Sequence, residues 1–127
     1  MAADPIEGAL RGHRVETVEG GYRLRVGLTG GLAVTVDNDF RLTGPHEVEH
    51  FYPGLTMAPA GGLAALVGAL VTAVRVSPAG SLEMDFDTGR TLAVPPEPGP
   101  GGPAVAWRVS GPGGALFTSV PGGYLSG

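Results

Sequence analysis

Tyr22-Arg23-Leu24-Arg25-Val26-Gly27-Leu28-Thr29-Gly30-Gly31-Leu32-Ala33-Val34-Thr35-Val36 decides the fold class. Tyr22, Leu24, Val26 and Leu28 alternate with Arg23, Arg25 and Gly27, a period of two that buries one face of a strand and leaves the other wet. Thr29-Gly30-Gly31 supplies turn residues. Leu32, Val34 and Val36 then resume the alternation. Further on, a run holding Phe40 and Leu42 is stopped by Thr43-Gly44-Pro45.

The second half repeats this grammar. Leu82, Met84 and Phe86 match Leu24, Val26 and Leu28 at one constant offset. Thr88-Gly89 and Leu92-Ala93-Val94 match Thr29-Gly30 and Leu32-Ala33-Val34, with single-residue slips at the turn. Val71-x-x-Val74 matches Val15-x-x-Val18. Trp107-Arg108-Val109-Ser110-Gly111-Pro112 matches Phe40-Arg41-Leu42-Thr43-Gly44-Pro45, and a last strand is expected near Ala115 to Val120. Each copy then runs on to Pro-Gly, at Pro53-Gly54 and Pro121-Gly122. The matches are collinear and separated by turns of one type, so an internal duplication is expected. Neither unit can bury a face alone, so the two should pack on each other.

The resulting expectation is a single mainly β domain over residues 1–127, with repeats at about 12–54 and 69–123. Two antiparallel β-meanders would pack with approximate two-fold symmetry as a barrel or a two-layer sandwich. One short apolar helix, about 60–68, would connect them, and the Pro/Gly-rich stretch from Pro95 to Pro103 reads as an exposed loop.

Composition narrows the function classes. At 127 residues the chain can bury roughly two thirds of its unfolded surface. Gly (23) and Pro (12) are abundant, as in low-complexity chains, but they fall between periodic runs and so mark turns. A net charge of −4 leaves no cationic footprint, so nucleic acid is not expected as a partner. The chain has no Cys, which removes disulfides and thiolate zinc sites. The stretch Met57 to Val74 is uncharged but contains Pro59, three Gly and mostly Ala and Val, so a buried helix running into a strand is expected and a membrane span is not. The Met1-Ala2-Ala3-Asp4-Pro5 start lacks the basic and apolar regions of a secretory signal, and a cytoplasmic location is expected.

Several motifs invite a catalytic or metal reading. His46-Glu47-Val48-Glu49-His50 fits H-E-x-x-H, which holds zinc only on a helix. The duplication aligns it with the strand near Ala115, and on a strand the two His lie about 13 Å apart. Whether this segment is helical is left open by the sequence. Asp87-Thr88-Gly89 spells the aspartic-protease triplet, but Asp85-Phe86 before it and Arg90 after it suit a hairpin turn better. Asp37-Asn38-Asp39 reads as solvated turn residues. No Ser sits in a nucleophile elbow. No catalytic residue, cofactor or metal ligand is assigned. Four Arg are the binding candidates: Arg23 and Arg25, which share the wet face of one strand, and Arg41 and Arg108, which the repeat places equivalently and which could grip a carboxylate.

Trp107-Arg108-Val109-Ser110-Gly111-Pro112-Gly113-Gly114, followed by Pro121-Gly122-Gly123, resembles a functionally uncharacterised family of small actinobacterial proteins with a C-terminal W-x-[LV]-x-G-P-x-G … P-G-G pattern. Tyr22-Arg23-Leu24-Arg25-Val26 and the Leu/Ala-rich segment before Val71-Thr72 are also similar to it. After Pro53 such proteins are more acidic than Gly54-Leu55-Thr56-Met57. The resemblance implies a cytoplasmic bacterial protein and no particular activity. The function expected is a non-catalytic protein-binding module, of immunity or antitoxin type in one version. The alternatives are a small-molecule binder or enzyme with a site between the repeats, where Arg41 and Arg108 would meet, and a self-associating protein that forms a homodimer through exposed edge strands.

Overall fold

A computed structural model describes residues 5–52, 61–77, 80–95, 106–120 and 123–126. The Pro/Gly-rich loop from residue 96 onward and both Pro-Gly repeat ends lie outside the described residues. In chain order the elements are α1 (Pro5–Leu10), β1 (Val15–Glu19), β2 (Leu24–Leu28), β3 (Ala33–Val36), β4 (Phe40–Thr43), β5 (Val48–Phe51), α2 (Gly61–Ala64), β6 (Val71–Val76), β7 (Leu82–Phe86), β8 (Thr91–Val94), β9 (Trp107–Gly111), β10 (Gly114–Val120) and β11 (Gly123–Ser126). They form two antiparallel sheets, ordered β1-β2-β3-β9-β10-β11 and β5-β4-β8-β7-β6. The sheets do not close into a barrel, and a two-layer sandwich describes them.

The fourth strand of each half pairs with the third strand of the other half. β9 lies beside β3, with Val34 opposite Val109 and Val36 opposite Trp107. β4 lies beside β8, with Leu42 opposite Leu92. Without the borrowed strand, β3 and β8 would end their sheets with open edges. Alternation then does the rest. Leu24, Val26, Val34, Leu82, Met84, Leu92, Trp107 and Val109 are fully enclosed between the sheets, while Arg25, Arg41 and Arg108 stay exposed.

Corresponding strands agree in register. β1 and β2 pair with an irregularity between Val15 and Thr17, and β6 and β7 with one between Val71 and Ala73. Leu24 faces Val36 as Leu82 faces Val94, and Val26 faces Val34 as Met84 faces Leu92. Val34 therefore answers to Leu92, and Val36 to Val94. The sequence alignment had set Val34 against Val94, because matching Thr29-Gly30 to Thr88-Gly89 slipped the following strand, whereas the register keeps one offset through the turn.

The halves meet at a seam where Arg14 and Leu70 form an isolated bridge. Around it the hydrogen bonds come in matching pairs. Gly12 N–H donates to Val71 O (2.9 Å), and Gly68 N–H donates to Val15 O (2.8 Å). Val71 N–H donates to His13 O (2.9 Å), and Val15 N–H to Ala69 O (2.8 Å). Thr29 Oγ1 accepts from Arg14 N–H at 3.1 Å, and Asp87 Oδ1 accepts from Leu70 N–H at 3.0 Å. Gly12 and Gly68 both take the left-handed backbone (φ 87° and 92°) that lets the chain reverse into the seam.

This pairing corrects the expected layout of helices. A single connecting helix over 60–68 was expected. The α2 segment lies within that stretch and places Leu63 and Leu66 in the core ahead of β6, and a second short helix, α1, places Ile6 and Leu10 there ahead of β1. α1 is too short to show helical periodicity, which is why the sequence concealed it.

Candidate functional site

Position by position, the outer faces of the two sheets carry different chemistry. Across sheet one a polar row runs Glu19, Arg25, Thr35, Arg108 and Thr118. Thr35 is buried although it points outward, because the stems of Arg25 and Arg108 flank it. The charges here are matched. Arg25 pairs with Glu19 (3.6 Å). Asp37, just past β3, receives Arg23 Nε on Oδ1 at 3.1 Å, and Arg108 Nη2 lies 3.9 Å from Oδ2. The Asp37 side chain is 13% exposed, so this carboxylate sits between two guanidinium groups in a partly desolvated place.

Across sheet two the corresponding row runs Arg75, Glu83, Ala93, Arg41 and His50. Its far end is satisfied. Arg75 donates from Nη1 to Asp85 Oδ2 (2.8 Å) and from Nη2 to Asp85 Oδ1 (3.1 Å), and its Nε lies 3.5 Å from Glu83. The hydrogen bond from Arg75, helped by one from Thr91 Oγ1 at 2.8 Å, holds the Asp85 carboxyl below the ordinary Asp range against the opposing effect of burial.

The near end is not satisfied in the same way. In register, Pro95 stands where sheet one has Asp37, and Ser81 stands where it has Arg23. Arg41, the counterpart of Arg108, makes no ion pair among the described residues. It borders a hollow of about 230 Å3 lined by Arg41, Ser81, Leu82, Glu83, Ala93, Val94 and Pro95. A second, smaller hollow of about 90 Å3 continues from it past Asp39, Phe40, His50 and Tyr52. Beneath them Phe51 stacks on the core residue Phe40 (centroids 5.0 Å apart) and fixes β5 against β4. Outward on β5, or just past it, stand Val48, His50 and Tyr52, with Val48 52% and Tyr52 48% exposed.

A family model, described as a family of unknown function (DUF6188), matches residues 6–127. The chain belongs to that family. The match begins at Ile6, the first core residue of α1, and so takes in both sheets and that helix. No curated protein and no solved structure matches the chain.

Within this family fold the four Arg singled out from sequence fall into two groups. Arg23, Arg25 and Arg108 lie on sheet one and have acidic partners; Arg41 lies on sheet two. Arg41 and Arg108 do not converge between the repeats. Both occupy outward positions of their strands, with the core residues Leu42 and Val109 beside them pointing inward, so the core separates the two guanidinium groups. The strand exchange that puts β4 in one sheet and β9 in the other produces this separation.

The tempting motifs also find their places. His46-Glu47-Val48-Glu49-His50 is not helical: Gly44 to Glu47 is a turn closed by Gly44 N–H donating to Glu47 O (2.7 Å), and β5 starts at Val48. Glu49 turns inward and accepts from Gly62 N–H (2.9 Å), while His50 lies opposite Arg41. Asp87-Thr88-Gly89 is the β7–β8 turn, with Asp87 occupied at the seam. In Asp37-Asn38-Asp39, Asn38 is buried and donates from Nδ2 to Pro95 O (3.3 Å), which ties the first half to the rim of the larger hollow. No group of three or more His, Asp or Glu able to hold a metal occurs among the described residues. No helix among them is long and apolar enough to cross a membrane.

The sequence reading passed over His50, Tyr52 and Pro95. Tyr52 and Pro95 carry no local signal. His50 was visible only as half of a motif that does not form.

Proposed function

We propose that the chain is a non-catalytic protein-binding module that docks its partner on the outer face of sheet two, over β4 and β5. The observation that carries this reading is the grouping of Arg41, His50, Tyr52 and Val48 on that face. Arg41, which makes no ion pair among the described residues, and the half-exposed Tyr52 are of the residue types that dominate binding energy at protein interfaces. Arg41 stands on β4 and Tyr52 directly follows β5, with Phe40 and Phe51 stacked beneath them, so little order need be gained on docking. The larger hollow, about 230 Å3, is smaller than the roughly 300–1,000 Å3 that enclose a small-molecule ligand, and a partner's side chain fits it better. An accessory role of immunity or antitoxin type, in the cytoplasm of an actinobacterium, is one version of this reading.

We also attribute the matched halves to duplication of one ancestral unit. After duplication, one copy would keep its outer face neutralised and the other would be free to change.

Photo-crosslinking tests the docking face. A photoreactive amino acid replaces His50 in one variant and Thr118, which occupies the corresponding place beside Arg108, in another. Both are expressed in the native host and irradiated. The expected result is one discrete adduct from position 50 and none from position 118. Adducts from both positions, or from neither, would overturn the proposed face.

A further inference from the structure

We infer that the hollow beside Arg41 is a receptor for a carboxylate side chain of the protein partner, an Asp or Glu that takes the place Asp37 occupies in sheet one. This rests on the protein-binding reading of the same face and says which chemistry it recognises.

The molecule contains its own template. In sheet one a guanidinium on the fourth strand, Arg108, faces a carboxylate supplied from the end of the third strand, Asp37. Sheet two repeats the strands, their register and the guanidinium. At the position of Asp37 it has Pro95, which carries no charge and no hydrogen-bonding side chain. What remains is the cation with a hollow next to it, bordered by Ala93, Val94 and Pro95. Small and apolar side chains there leave room for the stem of an incoming Asp or Glu, and Arg41 at the rim can take its carboxylate in a paired hydrogen bond.

Among the described residues the neighbouring acids do not fill the place. Glu83, on the opposite border of the hollow, is engaged by Arg75, which also takes Asp85. Asp39 borders the smaller hollow and forms no ion pair with Arg41. Asn38 fixes the Pro95 carbonyl from the other half, so the rim is held by a buried side chain. A phosphate group is a poorer fit, since the single guanidinium Arg41 would have to balance about two charges.

Nuclear magnetic resonance of the Arg side chains tests this on the intact protein. Three probes are used: a pentapeptide Ala-Ala-Glu-Ala-Ala blocked at both ends, its Gln counterpart, and a pentapeptide of Ala with a free C-terminal carboxylate. The Arg41 Nε–Hε signal is expected to move saturably with the Glu peptide alone, while that of Arg108 stays still. Pro95→Asp, which supplies the carboxylate internally, is expected to move the Arg41 signal without peptide and to weaken peptide binding roughly tenfold or more. Pro95→Asn should leave binding within about twofold, because it adds no charge.

Equal shifts with the Gln peptide, common movement of Arg41 and Arg108, preference for the free C-terminus, or no saturation with any probe would each overturn the assignment. The two readings fail separately. A partner that crosslinks at position 50 and binds Arg41→Ala and Pro95→Asp undiminished would leave the docking face standing and remove the carboxylate receptor. A saturable Arg41 response with no crosslinked partner would do the reverse.

Discussion

Separating the halves is the severest test of the strand exchange. Suppose residues 1–58 are produced without the rest. β3 then loses β9 from one flank, β4 loses β8, and the whole inner face of both sheets loses the opposing layer. Leu24, Val26, Leu28, Val34, Val36, Phe40 and Leu42 are each at most 3% exposed in the intact protein. Full burial of such a side chain contributes about 1.5–3 kcal/mol. Losing half of that cover costs these seven together about 5–10 kcal/mol. A whole domain of this size is stable by only about 5–15 kcal/mol. The isolated half should therefore not persist as a folded monomer. It has one escape: because β3 is built to receive a fourth strand from the other half, two copies can lend β4 to each other and form a symmetric dimer. Size-exclusion chromatography with light scattering, alongside circular dichroism over a concentration series, distinguishes the outcomes. Disordered monomer at low concentration, with strand signal appearing only as dimer forms, is expected. Mixing with residues 59–127 should restore a one-to-one complex. A folded, monomeric half that unfolds cooperatively would refute the argument, since it would mean that each half closes its own core.

Other consequences follow from single residues. Asp85→Asn removes a carboxyl whose folded-state pKa is held down by Arg75; the stability that group contributes is present above the ordinary Asp pKa, near 3.9, and lost as pH falls through the lower folded value. Urea titrations from pH 7 to pH 2 should show the variant weaker by about 1 kcal/mol or less near neutrality, with the difference vanishing at the acid end. Gly12→Ala and Gly68→Ala should cost equal amounts, about 1–2 kcal/mol each in thermal unfolding, because both positions have positive φ and open space around an added Cβ. Trp107→Phe removes the indole N–H that donates to the buried Gly80 carbonyl at 3.0 Å. It should cost about 1–3 kcal/mol through that unsatisfied acceptor, on top of any loss from the smaller ring.

Much of the fold could be read from the sequence because its determinants are local or recur. Alternation in Leu24–Leu28 and Leu82–Phe86 fixes strand type, and Gly with Thr or Asp fixes the turns between them. The recurrence of Phe40-Arg41-Leu42 as Trp107-Arg108-Val109 fixes a fourth strand in each half. The destination of that fourth strand could not be read in the same way. Pairing β4 with β8 or with β3 buries the same residues in the same alternation, so periodicity is blind to the exchange. Nor could α1 be seen: six residues hold fewer than two turns, and Ile6 and Leu10 alone do not make a pattern.

The site was half legible for a related reason. Arg41 and Arg108 stood out because they recur, and recurrence is good evidence of shared structure. Binding to something outside the molecule, however, needs a departure from recurrence. A charge that both halves neutralise internally contributes to the fold; a charge that only one half neutralises is left for another molecule. Asp37 and Pro95 are the residues that make this difference, yet in sequence they look unrelated. One sits in an acidic turn and the other opens a Pro-rich loop. Only the ladder that sets Leu24 against Val36 and Leu82 against Val94 brings Asp37 and Pro95 into correspondence, one residue past the last matched pair. Arg41 then becomes a cation that meets no carboxylate among the described residues, and the side chain best suited to fill the place is the one sheet one already uses.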